Sequence, residues 1–248
     1  WVAQSTIQQF RAMWLLNDYG YLKTAEQMLG RPSLLDEEMV RQLHFLIGGA
    51  SYRTGSFEKA EKHFDRLLAD SSASGEAALR AYAMLADIAN IRSQYDKAFQ
   101  YIHKGIDMAR RTHNAFHELR LTLTYAITCH ESGKLQEADT VYAQALAKAE
   151  EMGDHYLLAN IYYNRGTLDL RINQFKAAES YFNQALQLCT NLGIARGKAQ
   201  SLFNLGIVDF YQNDFSSAYS KYFEAVKMFE RIGELHEECW GHYNLAEV

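Results

Sequence analysis

Proline and long apolar runs are both scarce in this sequence. A single proline among 248 residues leaves no proline-rich linker at which independent domains would separate. No apolar run approaches the roughly 18 to 20 residues that cross a bilayer, and the start lacks the charged-then-apolar build of a signal peptide. The sequence therefore predicts one domain over residues 1–248, soluble and cytoplasmic. Because no initiating Met is present, we expect an excerpt of a longer protein.

Positive charge is also in short supply. The chain carries 25 lysines and arginines against 30 aspartates and glutamates, a formal net charge of −5. Binding to a nucleic-acid backbone is driven by neutralising phosphates and needs a basic face. The sequence thus predicts no direct nucleic-acid binding and no membrane binding. With 48% hydrophobic residues, it can nevertheless bury a large core.

Reactive motifs are missing as well. Three cysteines, Cys129, Cys189 and Cys239, are too few and too far apart for a disulfide framework or metal cluster, so we expect reduced thiols. Gly197-Lys198 fails as a phosphate-binding loop because an alanine follows the lysine. No nucleophile, base and oxyanion donors converge in a known pattern. The sequence predicts no enzyme, no cofactor and no metal.

What the sequence does contain is an internal repeat. Alanines recur at spacings of 38, 40, 40 and 40 residues, each three residues after a large apolar side chain and four before another. These steps describe one face of a helix. The alanines are Ala60, Ala98, Ala138, Ala178 and Ala218. The bulky residues that follow them are Phe64, Ile102, Tyr142, Phe182 and Tyr222.

A second small residue lies twelve positions before each alanine, which predicts a second helix in close approach to the first. These residues are Gly48, Ala86, Ala126, Gly166 and Gly206. Between the two helices lie residues that tolerate the left-handed conformation, with Ser93 the least suited of them. The others are Gly55, Gly133, Asn173 and Asn213. A weaker unit around Gly20 and Ala25 comes first, giving about six helix pairs plus a further helix.

This pattern resembles the tetratricopeptide repeat, most clearly from Tyr162 to Leu186 and from Phe203 to Val226. The unit is longer than the common one of about 34 residues. In this it is similar to the Pins/LGN adaptors, kinesin light chains, Rap- and PlcR-type peptide sensors and MalT-like sensor domains. The resemblance implies an all-α, right-handed superhelical solenoid of helix-turn-helix pairs. In such families the first helix of each pair lines a concave groove.

Three asparagines occupy the same position of successive units on that predicted face: Asn164, Asn204 and Asn244. An amide both donates and accepts hydrogen bonds, so a row of amides can hold an extended peptide backbone whatever its side chains. The matching asparagines of the kinesin light chain and Pins-like families line the ligand groove. The alternative is that they bond to groups of neighbouring helices.

Aromatic and charged residues share the projected face. The aromatic candidates are Tyr163, Phe203, Tyr211 and Tyr243. Each is equally compatible with groove and core, because aromatic residues on amphipathic helices are commonly buried. The charged candidates are Arg80, Arg120, Arg171, His130 and Glu131, with Arg53 and Asp87 nearby. The arginine excess favours an acidic segment or a carboxylate terminus as partner, unless this face is merely solvated.

Two functions remain open at this point. The first is a non-catalytic scaffold that binds a peptide or a partner protein segment in its groove. The second is the ligand- or peptide-sensing domain of a bacterial signalling or transcription regulator, with the effector domain outside this chain. Self-association is a further expectation, since the end at 240–248 leaves apolar stacking surface without a capping helix.

Overall fold

The computed structural model describes residues 2–69, 75–234 and 241–245. These residues form twelve α-helices, one 3-10 turn and no β-strand, and 241–245 are helical as well. The helices are α1 (Val2–Leu15), α2 (Leu22–Leu29), α3 (Glu37–Arg53), α4 (Phe57–Leu68), α5 (Glu76–Ile91), α6 (Tyr95–Arg111), α7 (Ala115–Glu131), α8 (Leu135–Met152), α9 (His155–Arg171), α10 (Phe175–Asn191), α11 (Ala195–Tyr211) and α12 (Phe215–Ile232). Along the chain the twelve helices make the predicted six pairs, and segment 241–245 is the further helix.

The chain divides into two compact units, Trp1–Ser132 and Gly133–Val248. In the first unit α3 packs on α4, and α5 on α6; in the second, α9 packs on α10 and α11 on α12. Among the described residues, no helix is both long enough and apolar enough to cross a membrane. Cys129 and Cys189 are buried free thiols, whereas Cys239 lies outside the described residues, as do residues 240 and 246–248 of the segment predicted to self-associate.

The turns that join the helices have the predicted left-handed backbone. Within the helix pairs, φ is positive at each predicted residue: 74° at Gly55, 57° at Ser93, 84° at Gly133, 60° at Asn173 and 64° at Asn213. The loops between pairs also contain a residue with left-handed backbone. There, φ is positive at His113, Gly153, Gly193 and Gly233. Each such residue turns the chain sharply as a helix ends, so the next helix can fold back on the previous one.

The small residues in the first helices lie directly beneath aromatic rings of the second helices. A Cβ atom added to Gly166 would come within 2.7 Å of the Phe182 ring. The same approach is 2.7 Å for Gly48 under Phe64 and 2.8 Å for Gly206 under Tyr222. Atoms cannot approach that closely without displacement, so these glycines set how near the two helices lie.

The pairing of small with large residues generates a prediction. Replacing Gly166 with alanine should displace Phe182 and lower the free energy of unfolding by about 1–3 kcal/mol, as overpacked cores do. In the pair formed by α5 and α6, the equivalent residues Ala86 and Ile102 share one buried cluster. The double variant Gly166→Ala/Phe182→Ile should therefore lose less stability than the two single losses added together. Urea denaturation followed by circular dichroism measures this, and strict additivity would contradict the proposed contact.

A buried histidine pair connects α3 to α4. The Nδ1 atoms of His44 and His63 are 3.0 Å apart, so one ring donates and the other accepts. Burial, followed by the charge of His44 and of the nearby Arg66 and Lys59, lowers the pKa of His63 from 6.5 to about 4, while Glu26 opposes this shift. Burial and Arg66 also lower the pKa of His44. Both rings are held neutral in the folded state.

This pair predicts loss of stability in acid. Below pH 6.5 the unfolded chain binds protons at these histidines and the folded chain does not, so the free energy of unfolding falls until about pH 4. When the pH falls from 7.5 to 5.0, the free energy of unfolding should drop in both proteins. The drop should be smaller in the double variant His44→Leu/His63→Leu than in the parent chain, by on the order of 2 kcal/mol. Urea denaturation at both pH values measures the difference. The exposed His155, changed to Gln, is the control; equal acid losses in parent and double variant would refute the assignment.

Candidate functional site

The second unit carries the asparagine positions on neighbouring first helices. Asn164 on α9 is half-buried, and its amide nitrogen donates to the carbonyl of Asn160 at 2.8 Å, which leaves its Oδ1 to accept from another group. Asn204 on α11 is only 9% exposed, and its side chain makes no hydrogen bond to any described residue. Asn244, in the helical segment 241–245, is half-buried. Asn164 thus uses part of its hydrogen-bonding capacity inside the protein, whereas Asn204 does not.

A cavity of about 250 Å³ lies between α9 and α11 on this side of the unit. Asn160 and Gln200 line it, together with Tyr163 and Cys189. Asn164 and Asn204 lie one helical turn beyond Asn160 and Gln200, on the same faces of their helices. The two helices therefore present amide groups in matching positions at and beside a small cavity.

The aromatic candidates separate into core and surface. Phe203 is 8% exposed and packs on Tyr222 at 5.2 Å and Phe229 at 6.5 Å, so its predicted position in the groove is replaced by one in the core. Tyr163 is half-buried and lines the cavity. Tyr211 and Tyr243 are 57% and 56% exposed, and Tyr211 stacks on Phe175 at 5.3 Å. The surface aromatics can contact a bound chain, whereas Phe203 supports the fold.

The charged candidates do not form one group. Arg171 is exposed at the end of α9 in the second unit, while the other four belong to the first unit. In the first unit His130 is 7% exposed within α7, and Glu131 is exposed at the end of that helix. Arg80 and Arg120, on α5 and α7, are half-buried and close enough for the charge of Arg120 to affect the pKa of Arg80.

Asp87 on α5 is an acid close enough for the charge of Arg120 to affect its pKa. The hydroxyl of Tyr52 donates to its carboxylate at 3.3 Å. Burial raises the pKa of Asp87 from 3.8 to about 6, and the Tyr52 hydrogen bond and the charge of Arg120 only partly offset that effect. At neutral pH this carboxylate is ionised at a cost to the folded state.

Removing that charge should stabilise the chain. Because the folded-state pKa lies above 3.8, the folded state binds more protons than the unfolded one between pH 4 and 6, and charged Asp87 destabilises it above pH 6. Asp87→Asn keeps an oxygen for the Tyr52 hydroxyl and should raise the free energy of unfolding by about 1 kcal/mol at pH 7.5, with no gain below pH 4. Urea denaturation at both pH values tests this against Asp107→Asn on the exposed side of α6. A stability loss at pH 7.5 would refute it.

Aromatic residues of α1 and α3 stand beside Arg80, and the sequence projection missed the first of them. Trp14 is 3% exposed, and the guanidinium of Arg80 lies 5.0 Å from its ring centroid and 5.6 Å from that of Phe45. Arg53 lies over the same indole at 4.5 Å. Trp14 belongs to α1, where the repeat pattern is weakest, so no periodic signal pointed to it.

A family model described as tetratricopeptide repeat matches residues 76–151, 120–191 and 157–231. These overlapping matches cover more than half of the sequence. The chain therefore belongs to the tetratricopeptide repeat family, as the repeat pattern predicted. No curated protein matches it in sequence.

Solved structures with the same fold include peptide-bound regulators. NprR in complex with its cognate peptide NprX has a TM-score of 0.76 at 14% identity, covering 99% of this chain and 74% of its own. A Rap protein complexed with Competence and Sporulation Factor has a TM-score of 0.74 at 18% identity, covering 92% of this chain and 65% of its own. Aspartyl phosphate phosphatase F from Bacillus subtilis has a TM-score of 0.70 at 11% identity, covering 98% and 68%. This chain thus spans about two thirds of the length of each of the last two.

Proposed function

We propose that this chain is a non-catalytic tetratricopeptide-repeat module that binds an extended peptide segment of a partner. The amide of Asn204 carries the proposal. Asn204 is nine-tenths buried, and its side chain makes no hydrogen bond to a described residue, so both its donor and its acceptor can bond to a ligand. A peptide backbone beside α11 offers both the donor and the acceptor that such an amide needs.

The neighbouring groups suit the same ligand. Asn164 has an unoccupied acceptor at the matching position of α9, and the half-buried ring of Tyr163 lines the cavity between the helices. Amides and aromatic rings hold a chain by hydrogen bonds and apolar contact, and burial raises the pKa of the Cys189 thiol in the cavity, which disfavours the nucleophilic thiolate. We therefore propose binding without turnover at this face.

Peptide complexes among the related folds favour the same function. NprR was solved with its cognate peptide NprX, and a Rap conjugation gene regulator was solved with the Phr* peptide. NprR is also described as a quorum sensor. That description favours the second candidate function, in which peptide binding here regulates an effector domain carried elsewhere. Both candidates require the same binding event, so a single experiment addresses their common step.

The test is selection of binding peptides from a random heptapeptide display library, followed by calorimetric titration of the best sequences. Asn164→Ala/Asn204→Ala should weaken binding by about tenfold or more, the loss expected for two hydrogen bonds. Asn183→Ala, an exposed asparagine of α10, should leave the affinity unchanged and serves as the matched control. Helical content, read by circular dichroism, should be the same in all three.

The peptide itself supplies a second test. If the amides hold the backbone, N-methylation of single peptide bonds should weaken binding more than alanine replacement of most peptide side chains. The proposal is wrong if selected peptides bind the double variant as tightly as the parent chain. It is equally wrong if N-methylation at every position leaves the affinity intact.

A further inference from the structure

A second cavity, of about 440 Å³, lies in the first unit, where α1, α3 and the start of α5 meet. Its apolar wall includes Trp14, Phe45 and Leu67, and its polar wall includes Arg11 and Arg80. The cavity is thus amphiphilic, with room for a side chain of moderate size beside a charged group. It is distinct from the asparagine face, which belongs to the second unit.

The charges around this cavity are not balanced. Arg41 also lines it but is neutralised by Glu37 and Glu38, at 3.9 and 3.0 Å. Among the described residues, Arg80 forms an ion pair only with Glu76, whose carboxylate lies 3.3 Å away. An arginine with a single exposed carboxylate of its own helix keeps donors to spare, because a guanidinium carries five N–H groups in a fixed fork.

Other arginines converge on Arg80. The guanidiniums of Arg53 and Arg80 lie 4.5 and 5.0 Å from the centroid of one indole, that of Trp14. Burial lowers the pKa of Arg80, and after the opposing effect of Glu76 the charges of Arg120, Arg53 and Arg11 lower it further. Like charges held this close repel one another, and an anion among them would relieve that repulsion.

We infer that this cavity binds a peptide carboxylate whose neighbouring apolar side chain lies against Trp14 and Phe45. Arginine holds a carboxylate with paired, charge-assisted hydrogen bonds, and its stacking on aromatic rings fixes the plane of the fork. A monoanion suits the cavity better than a phosphate dianion, because Glu38 and Glu76 also line its wall. The assignment of the carboxylate to a peptide rests on the proposed function.

The indole in the wall provides the readout. The sequence has three tryptophans, so the variant Trp1→Phe/Trp240→Phe leaves Trp14 as the sole emitter. Titration of this full-length chain with N-acetyl-phenylalanine should change the Trp14 fluorescence and saturate. N-acetyl-phenylalaninamide, which has no carboxylate, should bind about tenfold more weakly or not at all. N-acetyl-aspartyl-phenylalaninamide distinguishes a side-chain carboxylate from a terminal one.

Matched arginine variants locate the carboxylate. Arg80→Gln and Arg11→Gln should each lower the affinity for N-acetyl-phenylalanine by several-fold to tenfold. Arg110→Gln, on the exposed side of α6, should leave that affinity unchanged. Circular dichroism confirms that each variant is folded, and because Arg11 is exposed its replacement keeps the test valid if Arg80→Gln fails to fold. Raising the salt concentration from 50 to 500 mM should weaken binding of N-acetyl-phenylalanine but not binding of N-acetyl-phenylalaninamide.

The outcomes separate this inference from the proposed function. Equal affinity for acid and amide, no saturable signal, or indifference to Arg80 and Arg11 would overturn the carboxylate site, even if selected peptides still depend on Asn164 and Asn204. Conversely, if acid binding depends on Arg80 and Arg11 while no peptide requires the asparagines, the carboxylate site stands and the peptide-binding function falls.

Discussion

The close approach of two helices at a glycine beneath an aromatic ring determines the rest of this structure. Gly166 lies under Phe182, and Gly206 under Tyr222, at distances that leave no room for a Cβ atom unless the ring moves. Each contact fixes which side of the first helix faces the second. A residue two positions earlier lies about 200° around the helix, on the opposite side. That geometry directs Asn164 and Asn204 away from the packed side, toward the face that we propose binds a peptide.

Local physics explains why the fold could be predicted. Helix ends need residues that tolerate positive φ, and the spacing of small and large residues sets which faces pack, so both signals are present in the sequence itself. Even Ser93, the least suitable loop residue, adopts a φ of 57°. Its neighbours on both sides form helices whose pairing requires the turn, and that tertiary requirement overrides the preference of a single residue.

The binding residues were harder to predict because burial depends on the partner helix. Tyr163 and Phe203 occupy equivalent positions, yet Phe203 is in the core and Tyr163 lines a cavity. The cause is the residue that each ring meets on the second helix of its pair, at positions forty residues apart in the sequence. Phe229 packs against Phe203, whereas the equivalent residue in the preceding pair is Cys189, which is too small to fill the same space. Arg80 was among the candidates predicted from the sequence, but Trp14 beside it was missed because it comes from the helix that departs most from the repeat.

The chemistry of the two units suggests why a binding protein would carry both. Amides such as that of Asn204 recognise groups common to every peptide bond, so an amide face alone would hold any extended chain and discriminate poorly. Discrimination needs contacts that only some chains can satisfy. The proposed site at the half-buried Arg80 beside Trp14 would supply one, because a ligand without a carboxylate leaves the repelling guanidiniums uncompensated. In the proposed function the second unit would provide general affinity and the first unit would provide selectivity, through interactions that the repeat pattern alone does not specify.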